Sequence, residues 1–197
     1  VDPVATIVSR RSVSALTAPA PTDEELLVLV EQAMTAPDHG LLRPWRLLVI
    51  RDEARHVLAA SIARSLPDPD EGARAGAKAL RSPLLVGIVY TPDPAARVPE
   101  WEQLAATSAM VHNLGLILHA RGWASVWKTG RLVEADPVRA AMGAGPGERV
   151  LGWVHVGTAD PAKRPAPRKP ADARAHVARL HEDGSIAPLR ELEGALR

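Results

Sequence analysis

Apolar residues recur at helical spacing over several stretches of the chain and run without interruption over one. Residues 2–9 begin with Asp2 and Pro3, an N-cap followed by a first-turn proline, which predicts a short opening helix. Residues 13–21 read as a loop. A second helix is predicted from Thr22, because Glu25 stands three residues later as in a capping box. Leu26, Leu27, Val30, Ala33 and Met34 share one face of it, and Pro37 is expected to end it. A short strand is predicted over 47–50, then amphipathic helices over 53–65 and 71–80. The continuous run Leu84–Tyr90, with its β-branched residues, predicts a buried strand. Residues 101–120 form a long helix that is apolar on most sides and so is expected to be buried on most sides. Gly122 caps it. A strand over 124–127, a short helix over 136–142 stopped by Gly143, and a strand over 150–156 complete the pattern.

After Thr158 the composition changes. Residues 159–170 are rich in Pro, Lys and Arg and read as an extended arm, while 171–180 have a helical pattern. The expected organisation is a domain over 1–158 and an extension over 159–197. That extension is either an arm packed on a neighbouring subunit or a loose tail. Helices and short strands mix without regular βαβα alternation, which predicts an α+β fold.

Composition narrows the chemistry. The 197 residues include no cysteine, which excludes disulfides, thiolate catalysis and Cys-ligated metals. Phe is absent too, so the core is expected to be aliphatic with the five Trp as its main large aromatics. The net charge of +1, without a long basic run, gives no reason to expect nucleic acid or an anionic membrane as partner. The longest apolar stretch, 104–120, holds Thr107, Ser108, His112, Asn113 and His119, so it reads as a buried helix and not a membrane span. No N-terminal apolar segment suggests export, and a cytoplasmic location is expected.

Three segments carry candidate chemistry. Arg10-Arg11-Ser12 leaves the first helix with two guanidinium forks and a hydroxyl, a set that can clamp a phosphate. It can equally complement the helix dipole. Ala36-Pro37-Asp38-His39, followed by Pro44-Trp45, makes a stiff loop. There His39 can donate to a ligand, or Asp38 can simply cap its own turn. Trp127-Lys128-Thr129-Gly130 ends a strand with a cation, a hydroxyl and a glycine. Its amides can face an acceptor, or it can be an ordinary turn. Gly143-Ala144-Gly145-Pro146-Gly147 lies between a helix and a strand, the reverse of the dinucleotide-loop order, and reads as a turn. His112 and His119 lie on one helix face with no third ligand, so buried, hydrogen-bonded histidines are expected and no metal site.

In this order, the segments resemble the nitroreductase family over residues 2–160, and its small YdjA-like branch in particular. The resemblance is carried by Arg10-Arg11-Ser12, Pro37-Asp38-His39 with Pro44-Trp45, Trp101-Glu102-Gln103, Gly122 with Trp127-Lys128-Thr129-Gly130, and the 152–158 strand ending in Gly-Thr. It implies a nitroreductase-like α+β fold, a central and mostly antiparallel sheet flanked by helices, in an intertwined homodimer with the long helix at the interface. It also implies FMN as cofactor and NADPH or NADH as donor, with a small aromatic or electron-poor acceptor reduced by a ping-pong mechanism.

By the same resemblance, Arg10, Arg11 and Ser12 bind the FMN phosphate and ribityl end. Thr35 and His39 reach the flavin from the partner subunit, and Lys128, Thr129 and Gly130 complete the site. Leu118, His119, Ala120, Arg121, Gly122 and Trp123 lie where the nicotinamide is expected. No catalytic acid or nucleophile is assigned, since the flavin carries the redox chemistry. Trp45, Trp101 or Trp123 can line the substrate side, or pack in the core or the dimer.

The chain departs from the family at two places. Gly40-Leu41-Leu42-Arg43 replaces the usual Asn-containing loop, and Ser14 stands where many members have a Lys. The cation expected near flavin N1 then falls to Arg43, Arg46 or Lys128. Other functions on the same fold are a flavin-binding or flavin-storing protein, and dehalogenase, enone reductase or dehydrogenase chemistry.

Overall fold

A computed structural model describes residues 2–163, 165 and 167–189. The chain divides into two compact units, one through Pro165 and one from Ala166.

The first unit is built on a sheet. In chain order it contains α1 (Pro3–Ser9), β1 (Leu16–Thr17), α2 (Asp23–Ala33), β2 (Trp45–Arg51), α3 (Ala54–Arg64), α4 (Pro69–Gly76), β3 (Leu84–Tyr90), α5 (Glu100–Ala120), β4 (Ala124–Lys128), α6 (Asp136–Ala141) and β5 (Arg149–Ala159). Strand β3 lies between β2 and β5, and β5 pairs in addition with β1 and β4. All of these pairings are antiparallel. The α+β reading holds, with helices on both faces of the sheet.

Alternation along β3 and β5 divides the core. Leu84, Val86, Ile88, Val154 and Val156 face α2 and α5, where they join Leu26, Leu29, Met110, Leu114 and Leu118. Leu85, Val89, Val150 and Trp153 face the other way, toward Leu58 and Ile62 of α3 and Val138 of α6. The Tyr90 ring is fully buried, and its hydroxyl donates to the Glu100 carbonyl at 2.9 Å, so no polar atom is stranded. Burial raises the pKa of that phenol.

Local signals explain the helix starts. Asp2 accepts from the Val4 N–H, and Thr22 and Glu25 form the reciprocal capping box at 3.2 and 2.9 Å. The end of α2 comes earlier than Pro37. Thr35 turns back, its amide and hydroxyl both donating to the Gln32 carbonyl, and the residue before a proline disfavours the helical region. The buried face of α2 is Leu26, Leu29 and Ala33, whereas Leu27 is 69% exposed.

Other expectations need correction. The 13–21 loop contains β1, whose Leu16 and Thr17 pair with Ala159 and Thr158. The helix predicted over 71–80 is α4 followed by a 3₁₀ turn, Ala77–Arg81. Helix α5 buries one face within this chain, and His112 is exposed instead of buried. The tryptophans do not fill the core. Trp153 is buried, Trp45, Trp123 and Trp127 are half-buried at its margin, and Trp101 is 69% exposed.

The second unit contains a hairpin, β6 (Ala178–Leu180) with β7 (Ile186–Pro188), where a helix over 171–180 was expected. Asp172 caps the Arg174 amide in a 3₁₀ turn, Ala173–Ala175, and no residue from 171 to 180 is buried. A ten-residue helix with no face to pack is marginal, so local capping decides. Among the described residues no helix is long and apolar enough to cross a membrane.

Gly152 illustrates how tightly β4 and β5 meet. Its φ is +94°, and an added Cβ would stand 2.0 Å from the Lys128 carbonyl oxygen. Gly152→Ala therefore costs strain and a backbone clash. We expect a loss of roughly 2–4 kcal/mol in urea unfolding, the sum of a disfavoured φ and an overpacked contact. A loss below about 0.5 kcal/mol would show that the β4 end yields freely.

Candidate functional site

Strand β4 gathers two of the three candidate segments. The isolated bridge between Ser12 and Ser125 is parallel, and the Val13 amide donates to the Ser125 carbonyl at 3.0 Å. The chain leaving α1 is thus laid along the edge of β4. Ser9 and His119 Nε2, 2.8 Å apart, tie α1 to the end of α5 and fix where Arg10 begins. Arg10 and Arg11 are half-buried and both engage other groups of the chain.

At the far end of β4 a cavity of about 530 Å³ opens. Lys128, Thr129 and Gly130 form one side, with Ser14 beside them. Gly130 has φ +126°, a backbone conformation that residues with a side chain rarely adopt, where the chain turns away from the strand end. Among the described residues, neither the Thr129 nor the Gly130 amide donates to a backbone carbonyl. The rim also carries Lys78, Arg81 and Arg131, and the lining includes no carboxylate. Ile62, Ala75, Ala79, Val126, Leu132, Val133 and Trp153 supply apolar surface. A flat, anionic, acceptor-rich ligand fits this chemistry: cations and backbone amides at the edge, apolar walls for a ring.

Lys78 and Arg81 are functional candidates that sequence reasoning missed. They follow α4 in the 3₁₀ turn, and nothing in their local pattern separates them from solvated charges. Of the cations proposed for the N1 duty, Lys128 lines the cavity. Arg46 is committed elsewhere, donating to the Met142 and Gly143 carbonyls and to Glu148 at 2.9 Å. With Arg139, which donates to the Gly145 and Glu148 carbonyls, it locks the 143–147 segment as a turn, as expected. The Glu148 carboxyl is held below its usual pKa, first by the Gly145 amide at 2.8 Å and then by Arg46.

The third segment lies elsewhere. Thr35 follows α2, and His39 sits within hydrogen-bond distance of Glu102 on α5, Nδ1 to Oε2 2.8 Å. Asp38 caps the turn, accepting the Arg43 amide at 2.7 Å, while Gly40, Leu41 and Arg43 take positive φ. Arg43 therefore belongs to this loop and not to the cavity. Helices α2 and α5 cover one face of the sheet, and the cavity side chains of β5 project from the other. Within one chain the structure does not bring Thr35 and His39 to the cavity. Leu118 is closed into the core. Ala120, Arg121 and Gly122 are exposed, Trp123 is half-buried, and Gly122 ends α5 with φ +84°. None of these four residues, nor Trp45 or Trp101, lines the cavity; its tryptophan is Trp153.

His155 on β5 completes the lining, and sequence reading did not single it out. Burial first, then the charges of Lys128 and Arg81, push its pKa down to about 4.

The comparisons with known proteins agree with this architecture. The fold is that of a nitroreductase-like protein from Bacillus cereus, at TM-score 0.81 and 26% identity over 92% of this chain and 97% of that one. A nitroreductase-type structure from Desulfovibrio desulfuricans, solved in complex with FMN, shares the fold at TM-score 0.67 and 23% identity over 86% of this chain and 92% of that one. A candidate NAD(P)H nitroreductase of Haemophilus influenzae is 35% identical over 162 residues, covering 80% of this chain and 88% of the relative. YdjA of Escherichia coli, likewise a candidate NAD(P)H nitroreductase, is 31% identical over the same shares. The model of the nitroreductase family matches residues 7–158, and the chain belongs to that family.

The depressed pKa of His155 links stability to pH. Unfolded histidine takes a proton below about 6.5, whereas the folded ring resists until about 4. The contribution is therefore present above 6.5 and lost as pH falls toward 4. Up to about 3 kcal/mol, at 1.36 per pKa unit, should disappear across that window in urea unfolding. A His155→Gln variant should show a flat profile there. A wild-type profile equally flat would contradict the shift.

Proposed function

We propose that the protein is an FMN-dependent NAD(P)H oxidoreductase that reduces small aromatic or electron-poor acceptors, with its flavin in the cavity at the end of β4. The observation that carries this reading is the cavity itself. Four cations and the amides of Thr129 and Gly130 border it, no carboxylate lines it, and the Arg10–Ser12 segment is anchored on the same strand. Family membership supports FMN, since one structural relative holds it, and relatives are described as candidate NAD(P)H nitroreductases.

When bound, FMN supplies hydride acceptance and donation. The protein's residues do the rest. Arg10, Arg11 and Ser12 hold the phosphate and ribityl end through charge-assisted hydrogen bonds. The Lys128–Gly130 edge binds the ring by its amides. Lys78 and Arg81 take the place of the Lys that Ser14 replaces, holding positive charge where negative charge develops on reduction. Donor and acceptor use the same open side in turn, which gives ping-pong kinetics. The 118–123 segment, at the exposed end of α5, is the candidate contact for the nicotinamide.

The position of Thr35 and His39 argues for a homodimer. They serve a flavin only if a second copy delivers them, because in their own chain they belong to the opposite face. The part-open face of α5, with exposed Trp101, offers the apolar surface for that pairing. The C-terminal unit exposes Val177, Leu180 and Ile186, which supports its packing on the partner subunit.

Purified protein should be yellow, and anaerobic NADPH or NADH should bleach it. Protein that stays colourless after incubation with FMN would end the proposal, and a yellow form that neither nicotinamide bleaches would make it a flavin carrier. Arg10→Ala should weaken FMN binding by roughly 10- to 100-fold, the loss of about 1.5–3 kcal/mol from a charged hydrogen bond. Lys78→Met and Arg81→Met should each lower the flavin potential by roughly 20–60 mV, measured by dye-coupled titration. No change in either variant would move the cationic duty to Lys128 and Arg131.

A further inference from the structure

The cavity wall is rich in donors and holds one buried side-chain acceptor. Lys78, Arg81, Lys128 and Arg131 only donate, and the lining has no carboxylate. His155 is 6% exposed, set in β5 between Leu85 of β3 and Val126 of β4.

Its tautomer follows from its neighbour. Ser82 Oγ lies 2.8 Å from His155 Nδ1 and 3.1 Å from the Leu84 carbonyl oxygen. A carbonyl oxygen can only accept, so both contacts are satisfied at once only when the single Ser82 proton goes to Leu84. The Ser82 oxygen must then accept from His155, which places the ring proton on Nδ1 and leaves a lone pair on Nε2. Among the described residues no buried side-chain nitrogen or oxygen lacks a partner, and no protein group bonds to Nε2. Nε2 is therefore the ring nitrogen open to the cavity. Low local polarity and the nearby charges of Lys128 and Arg81 keep it unprotonated.

We propose that His155 Nε2 is a fixed, neutral hydrogen-bond acceptor that receives a donor of the cavity's ligand and so sets the ligand's registry in the site. The inference rests on the flavin reading above. Cations grip carbonyl oxygens and phosphate wherever these fall, but an acceptor in their midst admits only an N–H or O–H at one place. Oxidised FMN has two kinds of such donor, the ring N3–H and the ribityl hydroxyls. A ligand that presents a carbonyl or a methyl there leaves Nε2 unpaired, which is costly at a buried site.

The test begins with ¹⁵N-labelled histidine. The flavin-free protein should show His155 with Nδ1 protonated and Nε2 unprotonated from pH 8 to pH 5.5, and FMN should shift the Nε2 resonance upfield. Dissociation constants from flavin fluorescence then compare FMN, 3-methyl-FMN and lumiflavin. His155→Leu should weaken FMN by roughly 10- to 100-fold, and His155→Gln, which keeps an acceptor, should restore binding to within about threefold. The His155→Leu penalty should vanish for 3-methyl-FMN if N3–H is the donor, and for lumiflavin if a ribityl hydroxyl is. An Nε2-protonated tautomer overturns the inference. So does an Nε2 resonance indifferent to bound FMN, or an equal penalty for all three ligands. Wild-type protein that binds no FMN overturns the flavin reading together with this one.

Discussion

Strand β5 is the constraint on which the other parts depend. Strands β1, β3 and β4 all hydrogen-bond to it, so its register decides where each of them lies. Its alternation sends Val154 and Val156 into the core beneath α5, and Trp153 and His155 to the opposite face. The Lys128 carbonyl rests against Gly152 so closely that only glycine is tolerated there, and this contact fixes the end of β4 where the cavity opens. Because side chains alternate with period two, a slip of one residue in β5 would exchange core and cavity together.

Much of the fold was legible because local physics and tertiary packing agree. The capping box at Thr22, the buried run of β3 and the length of α5 all survive folding. Agreement fails where a segment has nothing to pack against. Residues 171–180 have helical composition, yet with no buried face a turn and a hairpin prevail. Burial around α5 was overestimated for a related reason, since composition does not distinguish a surface covered by the same chain from one left for another. The tryptophans misled because size suggested the core, whereas the aliphatic strands and Tyr90 fill it.

Site legibility divides in the same way. Arg10-Arg11-Ser12 and Lys128-Thr129-Gly130 are contiguous segments, and the structure brings them to one strand. Lys78, Arg81 and His155 are isolated in sequence, and they meet only because the 3₁₀ turn after α4 and the middle of β5 share the far face of the sheet. No local pattern carries that information. Nor does any local pattern say that Thr35 and His39 lie across the sheet from the residues with which they were grouped. This separation is what turns a list of flavin contacts into an argument for two chains per site.

The most direct measurement is a crystal structure of the protein with FMN. The account predicts the flavin ring against Lys128, Thr129 and Gly130, with its phosphate at Arg10-Arg11-Ser12, and Thr35 and His39 supplied by a second copy. Flavin bound away from the β4–β5 cavity, or a site completed by one chain alone, would contradict it.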